Sequence, residues 1–196
     1  MHKRNPRSQG HRVTESFGRQ AKSYAQDKYV SSNEAHSFVI RRQRVCELLD
    51  DFIGARVLDI GCGPGVMVPE MANRGMEYFG VDASPEMIRQ AEQTFGHMRG
   101  GRLSTGRIEN LRFPDSHFDA VICMGVIEYL ADEHAAIREL ARVTKPHGIL
   151  IVTLPNRLNP YRLWSRHVYR PTSSLVRRLL GYQTRDPLIR KEFTET

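Results

Sequence analysis

The chain has 196 residues, 40% of them hydrophobic, and a formal net charge of +7, which suits one domain with a core that needs no disulfides. Cys46, Cys62 and Cys123 have no Cys-x-x-Cys spacing, no apolar run nears the roughly 18 residues of a membrane span, and no apolar segment of a signal peptide follows the basic start. These features point away from a disulfide-built secreted scaffold or a membrane-spanning protein and toward a reduced, cytoplasmic setting. The charge is uneven: residues 1–12 carry four bases and no acid, residues 156–196 carry nine bases and three acids, and the middle has more acids than bases. Overall basicity is therefore a poor argument for nucleic acid, which is not the expected partner.

In chain order, residues 1–12 read as a disordered basic arm. Residues 13–53 read as two helices, about 13–29 and 33–53. In the second, Phe38, Val39, Val45, Leu48, Leu49 and Phe52 form an apolar face that Gly54 ends. Arg56–Ile60 is a short strand, and its following helix is expected to start near Pro64–Val66, with Pro69 in or near the first turn. A second strand ends at Asp82. Ser84-Pro85-Glu86 then combines a hydroxyl cap, a proline at the first helical position and an acid. Further strands are read near Arg102–Thr105, at Ala120–Met124 and at Ile149–Leu154. Strands alternating with helices imply an α/β fold: a doubly wound, mostly parallel sheet with helices on both faces.

The chemistry concentrates where the first strand ends. Val57-Leu58-Asp59-Ile60 runs into Gly61-Cys62-Gly63-Pro64-Gly65, and Asp82 follows Asp59 by 23 positions. Glycines there permit positive φ and let a ligand lie against the backbone, and an acid about 20 residues on suits a ribose. Val66 stands where a dinucleotide turn wants its third glycine, and no Gly-Lys-Ser/Thr follows as in a phosphate loop. The pattern thus points to an adenosine-type cofactor other than a dinucleotide.

The segment Val57–Gly65 resembles the first motif of class I S-adenosylmethionine (SAM)-dependent methyltransferases. Val81–Met87 is similar to their ribose-binding corner and Gly106–Phe118 to their adenine loop. Phe118–Cys123 and Arg138–Pro146 resemble their fourth strand and the helix before their fifth. The ordered match spans about residues 54–155, and its flavour is closest to the small-molecule methyltransferases of ubiquinone biosynthesis. The resemblance implies a Rossmann-like SAM-binding core over 54–155, N-terminal lid helices over 13–53, and a basic helical tail over 156–196 in the acceptor region. It also implies a closing strand hairpin after the fifth strand. The tail reads as helix and loop instead, so the expectation is either a C-terminal truncation, which is favoured, or a shortened fold.

The resemblance further implies a set of cofactor-binding residues: Asp59, Gly61, Cys62, Gly63, Gly65, Asp82, Ala83, Met87, Ile108, Glu109 and Met124, with Tyr24 as a lid residue. Asp82 would take both ribose hydroxyls. Asp59 would order the glycine loop and face the methionine amino group, or serve structure alone. Arg107 occupies the place of the family's adenine-accepting Asp and has no acceptor, which leaves the Ile108 N–H and Glu109. Glu128 is read either as a general base or as a helix-start acid, and Tyr129 stands where the ubiquinone enzymes often carry His. His147 is read as a tolerated turn residue. The eight histidines show no ligand spacing, so no metal is expected.

The implied activity is methyl transfer from S-adenosylmethionine to a small-molecule acceptor, with a hydroxyl favoured, by in-line displacement, leaving S-adenosylhomocysteine. The rival readings are a non-catalytic SAM-binding protein and an RNA methyltransferase. Within 158–180, Tyr161, Trp164 and Val168 share one helical face and Arg162, Arg166 and Arg170 another. That pattern fits contact with a membrane surface or a lipid-like acceptor, but the favoured reading is a surface helix packed on the domain or on the missing hairpin.

Overall fold

The computed structural model describes residues 14–19, 21, 35–96 and 101–154. Residues 14–19 are helical. Helix α1 is Ala35–Leu48, followed by a 3-10 turn at Asp50–Phe52. Then come β1 Arg56–Ile60, α2 Val68–Asn73, β2 Glu77–Asp82, α3 Pro85–Phe95, β3 Gly101–Thr105 and β4 Phe118–Met124. A 3-10 turn at Ile127–Tyr129, α4 Glu133–Val143 and β5 Thr144–Thr153 complete the order.

The five strands form one sheet in the order β3-β2-β1-β4-β5. Every pairing among them is parallel. The chain moves outward from β1 to β3, then returns to the other side of β1 with β4. The carboxyl ends of β1 and β4 therefore flank the switch point at which doubly wound sheets open a ligand crevice.

Both faces of the sheet are covered, as alternation along the strands requires. Val57, Tyr78, Ala120, Ile122 and Ile151 pack on one face with Val45 of α1, Leu49 just after it, Val68 and Met71 of α2, and Ile88 of α3. Leu58, Ile60, Phe79, Val81, Val121 and Cys123 pack on the other, against Ala136, Leu140 and Val143 of α4 and Ile108 and Leu111 of the loop after β3. The doubly wound α/β class expected from the sequence is the observed one.

Several boundaries differ from the sequence reading. The turn after β1 runs longer than expected because Gly61, Gly63 and Gly65 all take positive φ (71°, 54° and 80°), which keeps the chain out of a right-handed helix until Val68. Pro69 then falls in the first turn of α2. Val45 of α1 and Leu49 just beyond it are buried, while Val39 and Leu48 are exposed. Helix α1 also ends before Gly54, whose φ of 75° belongs to the loop beyond the 3-10 turn. Strand β5 starts earlier than Ile149. Phe118 pairs with Thr144 and Ala120 with Ile149, so Lys145–Gly148 form a bulge in which His147 takes φ 64°. The expected lid helix through Tyr24, the tail 156–196 and its 158–180 stripe lie outside the described residues, apart from residues 14–19 and 21 of the first helix.

Candidate cofactor site

A cavity opens at the carboxyl ends of β1, β2 and β4. Its floor is the loop after β1, including Gly61, Cys62, Gly63 and Pro64. Asp82, Ala83, Ser84 and Met87 line it from the end of β2 and the start of α3, and Arg107, Ile108 and Glu109 from the loop after β3. Met124, Gly125, Val126 and Tyr129 close it from the β4 side, and Thr14, Phe17, Phe38 and Arg41 from the N-terminal helices.

The glycine turn is tied to β2. The N–H groups of Gly61 and Cys62 both donate to the Val81 carbonyl, at 2.7 and 3.2 Å. Asp82 bridges the turn and the next helix: Oδ2 accepts from the Gly63 N–H at 2.9 Å and Oδ1 from the Ser84 N–H at 2.8 Å. Each carboxylate oxygen keeps further acceptor capacity toward the cavity. Burial raises the Asp82 pKa, and those two backbone N–H groups pull it back down. Ser84 caps α3, its Oγ accepting from the Met87 N–H at 3.3 Å. Ser84 Oγ also donates to Glu86 Oε2 at 3.0 Å.

The glycines serve different ends. Gly63 has φ 54° and open space where a Cβ would stand, so the backbone itself faces the cavity. At Gly61 a Cβ would run into Val126 Cγ2. Gly65 is not part of the cavity lining. A Cβ there would stand 3.1 Å from both Ala91 and Phe95, so this glycine serves the approach of the loop to α3.

Asp59 is the buried acid of the site, only 2% exposed. Its Oδ2 accepts from the Tyr78 hydroxyl at 2.8 Å. Its other oxygen has no hydrogen-bond partner among the described residues, and the residue lines the cavity. Burial pushes its pKa up to about 7, the Tyr78 hydroxyl lowers it, and the charge of Asp82 raises it. A buried carboxylate with one unmet oxygen calls for a donor, best a cationic one.

Cys62 and Cys123 are buried thiols whose pKa values burial raises, that of Cys123 to about 12. Both stay protonated and neither is a nucleophile in this setting. On the wall after β3, Ile108 is buried, and Arg107 Nη2 donates to Glu109 Oε1 at 2.9 Å. The arginine's charge is thus already engaged.

Glu128 does not line the cavity. It is exposed in the 3-10 turn 127–129, whose tight geometry turns Tyr129, not Glu128, inward. Its Oε1 comes within 3.8 Å of where a Gly125 Cβ would stand, at the rim. Tyr129 meets the Phe17 ring edge-on at 5.5 Å between centroids. Tyr24 lies outside the described residues. Among the described residues no group of three or more His, Cys, Asp or Glu could hold a metal ion.

Tyr78, which bonds to Asp59, and the lining residues Phe38, Arg41 and Val126 are among those that the sequence reading did not assign to the site. Tyr78 sits mid-strand, where an aromatic reads as core. The one clue is that it lies two positions before Gly80 on the face that Asp59 shares from β1.

Known proteins with this architecture support what the cavity implies. A family profile described as a methyltransferase domain matches residues 58–152. The chain is 36% identical over 114 residues to a ubiquinone biosynthesis O-methyltransferase of Xanthomonas oryzae pv. oryzae, covering 55% of this chain and 46% of that protein. It is 30% identical over 173 residues to a demethylmenaquinone methyltransferase of Tropheryma whipplei, covering 84% of this chain and 70% of that protein. Among solved structures, a SAM-dependent methyltransferase from Thermotoga maritima superposes with a TM-score of 0.58 at 26% identity, covering 76% of this chain and 66% of that one. The match thus spans about half the length of the ubiquinone relative. The fold and the glycine-loop cavity define a Rossmann-like nucleotide-binding domain of the methyltransferase type. The chain belongs to the SAM-dependent methyltransferase family.

Proposed function

We propose that this protein binds S-adenosylmethionine in the glycine-loop cavity and transfers its methyl group to a small, lipid-like acceptor of the quinone-precursor kind, at a hydroxyl oxygen. The observation that carries the reading is the pair of acids on one cavity wall. Asp82 keeps acceptor capacity beyond the Gly63 and Ser84 N–H groups, and Asp59 presents a buried, unmet oxygen. A ligand with a ribose diol and a cationic amine meets both demands, whereas a phosphate would be repelled.

Asp82 would take the ribose hydroxyls, the Gly63 backbone would lie against the ligand, Ile108 and Glu109 would flank the base, and Asp59 would take the amino group. When bound, the cofactor supplies an electrophilic methyl group on a sulfonium. The chain's part is alignment and exclusion of water, because a methyl leaving a sulfonium needs little charge created by the protein. Phe17, Phe38 and Tyr129 line the cavity and suit a flat, apolar acceptor. Glu128 at the rim is an acid near Gly125, and a role as base requires it to turn inward. No described helix is long and apolar enough to cross a membrane, and a cytoplasmic enzyme is the proposed setting.

The test is transfer of a labelled methyl group from S-adenosylmethionine into an organic-extractable product, with a demethylated phenolic quinone precursor as acceptor. Incorporation that depends on the free hydroxyl supports the reading, and none with a cofactor-loaded protein contradicts it. The engaged Arg107–Glu109 pair on the adenine wall favours a second reading, binding without turnover, which that last outcome would select.

A further inference from the structure

Within that proposed cofactor site, on which this inference rests, we propose that Tyr78 is a positioning residue: its hydroxyl holds Asp59 as an oriented carboxylate for a cationic group of the ligand, and Gly80 is the gap through which it reaches.

The geometry is that of two neighbouring strands. Tyr78 pairs with Val57 and Gly80 with Asp59 in the β1–β2 register, so the Tyr78 ring must pass along β2 beyond its own partner to meet the acid. It does so over Gly80. A Cβ on Gly80 would stand 3.0 Å from Tyr78 Cε1, 3.0 Å from Cys62 Sγ and 2.6 Å from Leu103 Cδ2. Any larger residue at 80 would push the ring off its line to Asp59. At 1% exposed, the ring is locked by packing, and its hydroxyl ends 2.8 Å from Asp59 Oδ2. With Oδ2 fixed, the carboxylate plane is fixed, and the oxygen left without a partner belongs to a residue of the cavity wall. A buried phenol could have been a phenylalanine for packing alone. The hydroxyl therefore has a task at Asp59.

The bond also biases charge. A phenol donates to a carboxylate more strongly than to the neutral acid, so it favours the anion against burial and against Asp82. The other titratable groups facing Asp59 are Cys62 from the glycine loop, Cys123 from β4, and Tyr78 and Asp82 from β2. The two thiols and the phenol are all held above their ordinary values and are neutral between pH 6 and 8.5. Asp82 is also raised, by burial that its two backbone donors only partly offset, so the titration is followed at the Asp59 carboxyl itself.

The test uses the full chain and Tyr78→Phe, with S-adenosylhomocysteine affinity measured by calorimetry from pH 6 to 9. A second ligand, 5′-methylthioadenosine, lacks the amino-acid end. The Asp59 carboxyl is also titrated by carbon-13 NMR in both proteins without ligand. The parent's affinity for S-adenosylhomocysteine should rise through about pH 7. In Tyr78→Phe that rise should move up by about one pH unit, giving roughly tenfold weaker binding near pH 6.5 and equal binding near pH 9. Methylthioadenosine should show no such shift, and the Asp59 NMR midpoint should move upward by the same amount. An unmoved Asp59 midpoint, or a loss of affinity equal at every pH, would overturn the role of Tyr78. A parent that binds neither ligand would instead sink the proposed function, and the NMR titration would still decide whether Tyr78 governs Asp59.

Discussion

Asp59 shows how a site residue can oppose the fold that carries it. Its pKa is raised by burial to about 7, so the folded protein holds the proton more tightly than the unfolded chain does. The sign follows: below about pH 4 the acid is neutral in both states and nothing is lost. As pH rises toward 7 the unfolded chain ionises first, and stability falls by up to about 4 kcal/mol. Asp59→Asn keeps an oxygen for the Tyr78 hydroxyl and removes that cost, though its own buried NH2 offsets part of the gain. The variant should be more stable than the parent by on the order of 2 kcal/mol at pH 8, and no more stable at pH 4. Denaturant unfolding at the two pH values checks this, and equal stability at pH 8 would mean that Asp59 is not a strained anion. Asp59 and Asp82 stood out as candidates in the sequence because Asp59 lies just before the Gly61–Gly65 turn and Asp82 ends the next short strand 23 positions on. Tyr78 did not, since its function depends on the register between β1 and β2, which one strand's sequence does not carry. For Glu128 the sequence left two readings open, base or helix-start acid, for a related reason: which residue of a 3-10 turn faces inward depends on how the turn is set, not on spacing.

At the scale of elements, starts were easier to read than ends. The α3 start was legible in Ser84-Pro85-Glu86, because capping is local chemistry, and the observed bond from the Met87 N–H to Ser84 Oγ follows it. Since that same helix start adjoins Asp82, Ser84→Ala should lower stability by about 1 kcal/mol while leaving the Ser84 N–H bond to Asp82 in place. Thermal unfolding should show the loss with ligand binding little changed, and a collapse of binding would mean that the cap itself shapes the site. The bulge at Lys145–Gly148 was not legible, because it arises from matching the end of α4 to the partner register on β4. Nor was the staple made by Arg142, whose guanidinium donates to the Leu111 and Phe113 carbonyls and to Glu139 and Asp115. The contacts to Leu111, Phe113 and Asp115 span 31, 29 and 27 positions. Arg142→Ala should loosen the 111–115 loop, seen as faster amide exchange there than in β1. Unchanged exchange would show that apolar packing alone holds the loop.

For the whole molecule, alternation of strands and helices was enough to read a doubly wound parallel sheet. The switch point between β1 and β4 then places the crevice without further detail. The proposed function rests on that crevice, where Asp59 and Asp82 both line the cavity. The most direct measurement is calorimetry with S-adenosylhomocysteine on the parent chain and on Asp82→Ala, each first shown to be folded by circular dichroism. The parent is expected to bind at about −8 kcal/mol, near micromolar, and the variant at least tenfold more weakly, since it gives up both the proposed ribose acceptor and the Gly63 tether. No binding by the folded parent, or equal affinity in Asp82→Ala, would contradict the proposed site.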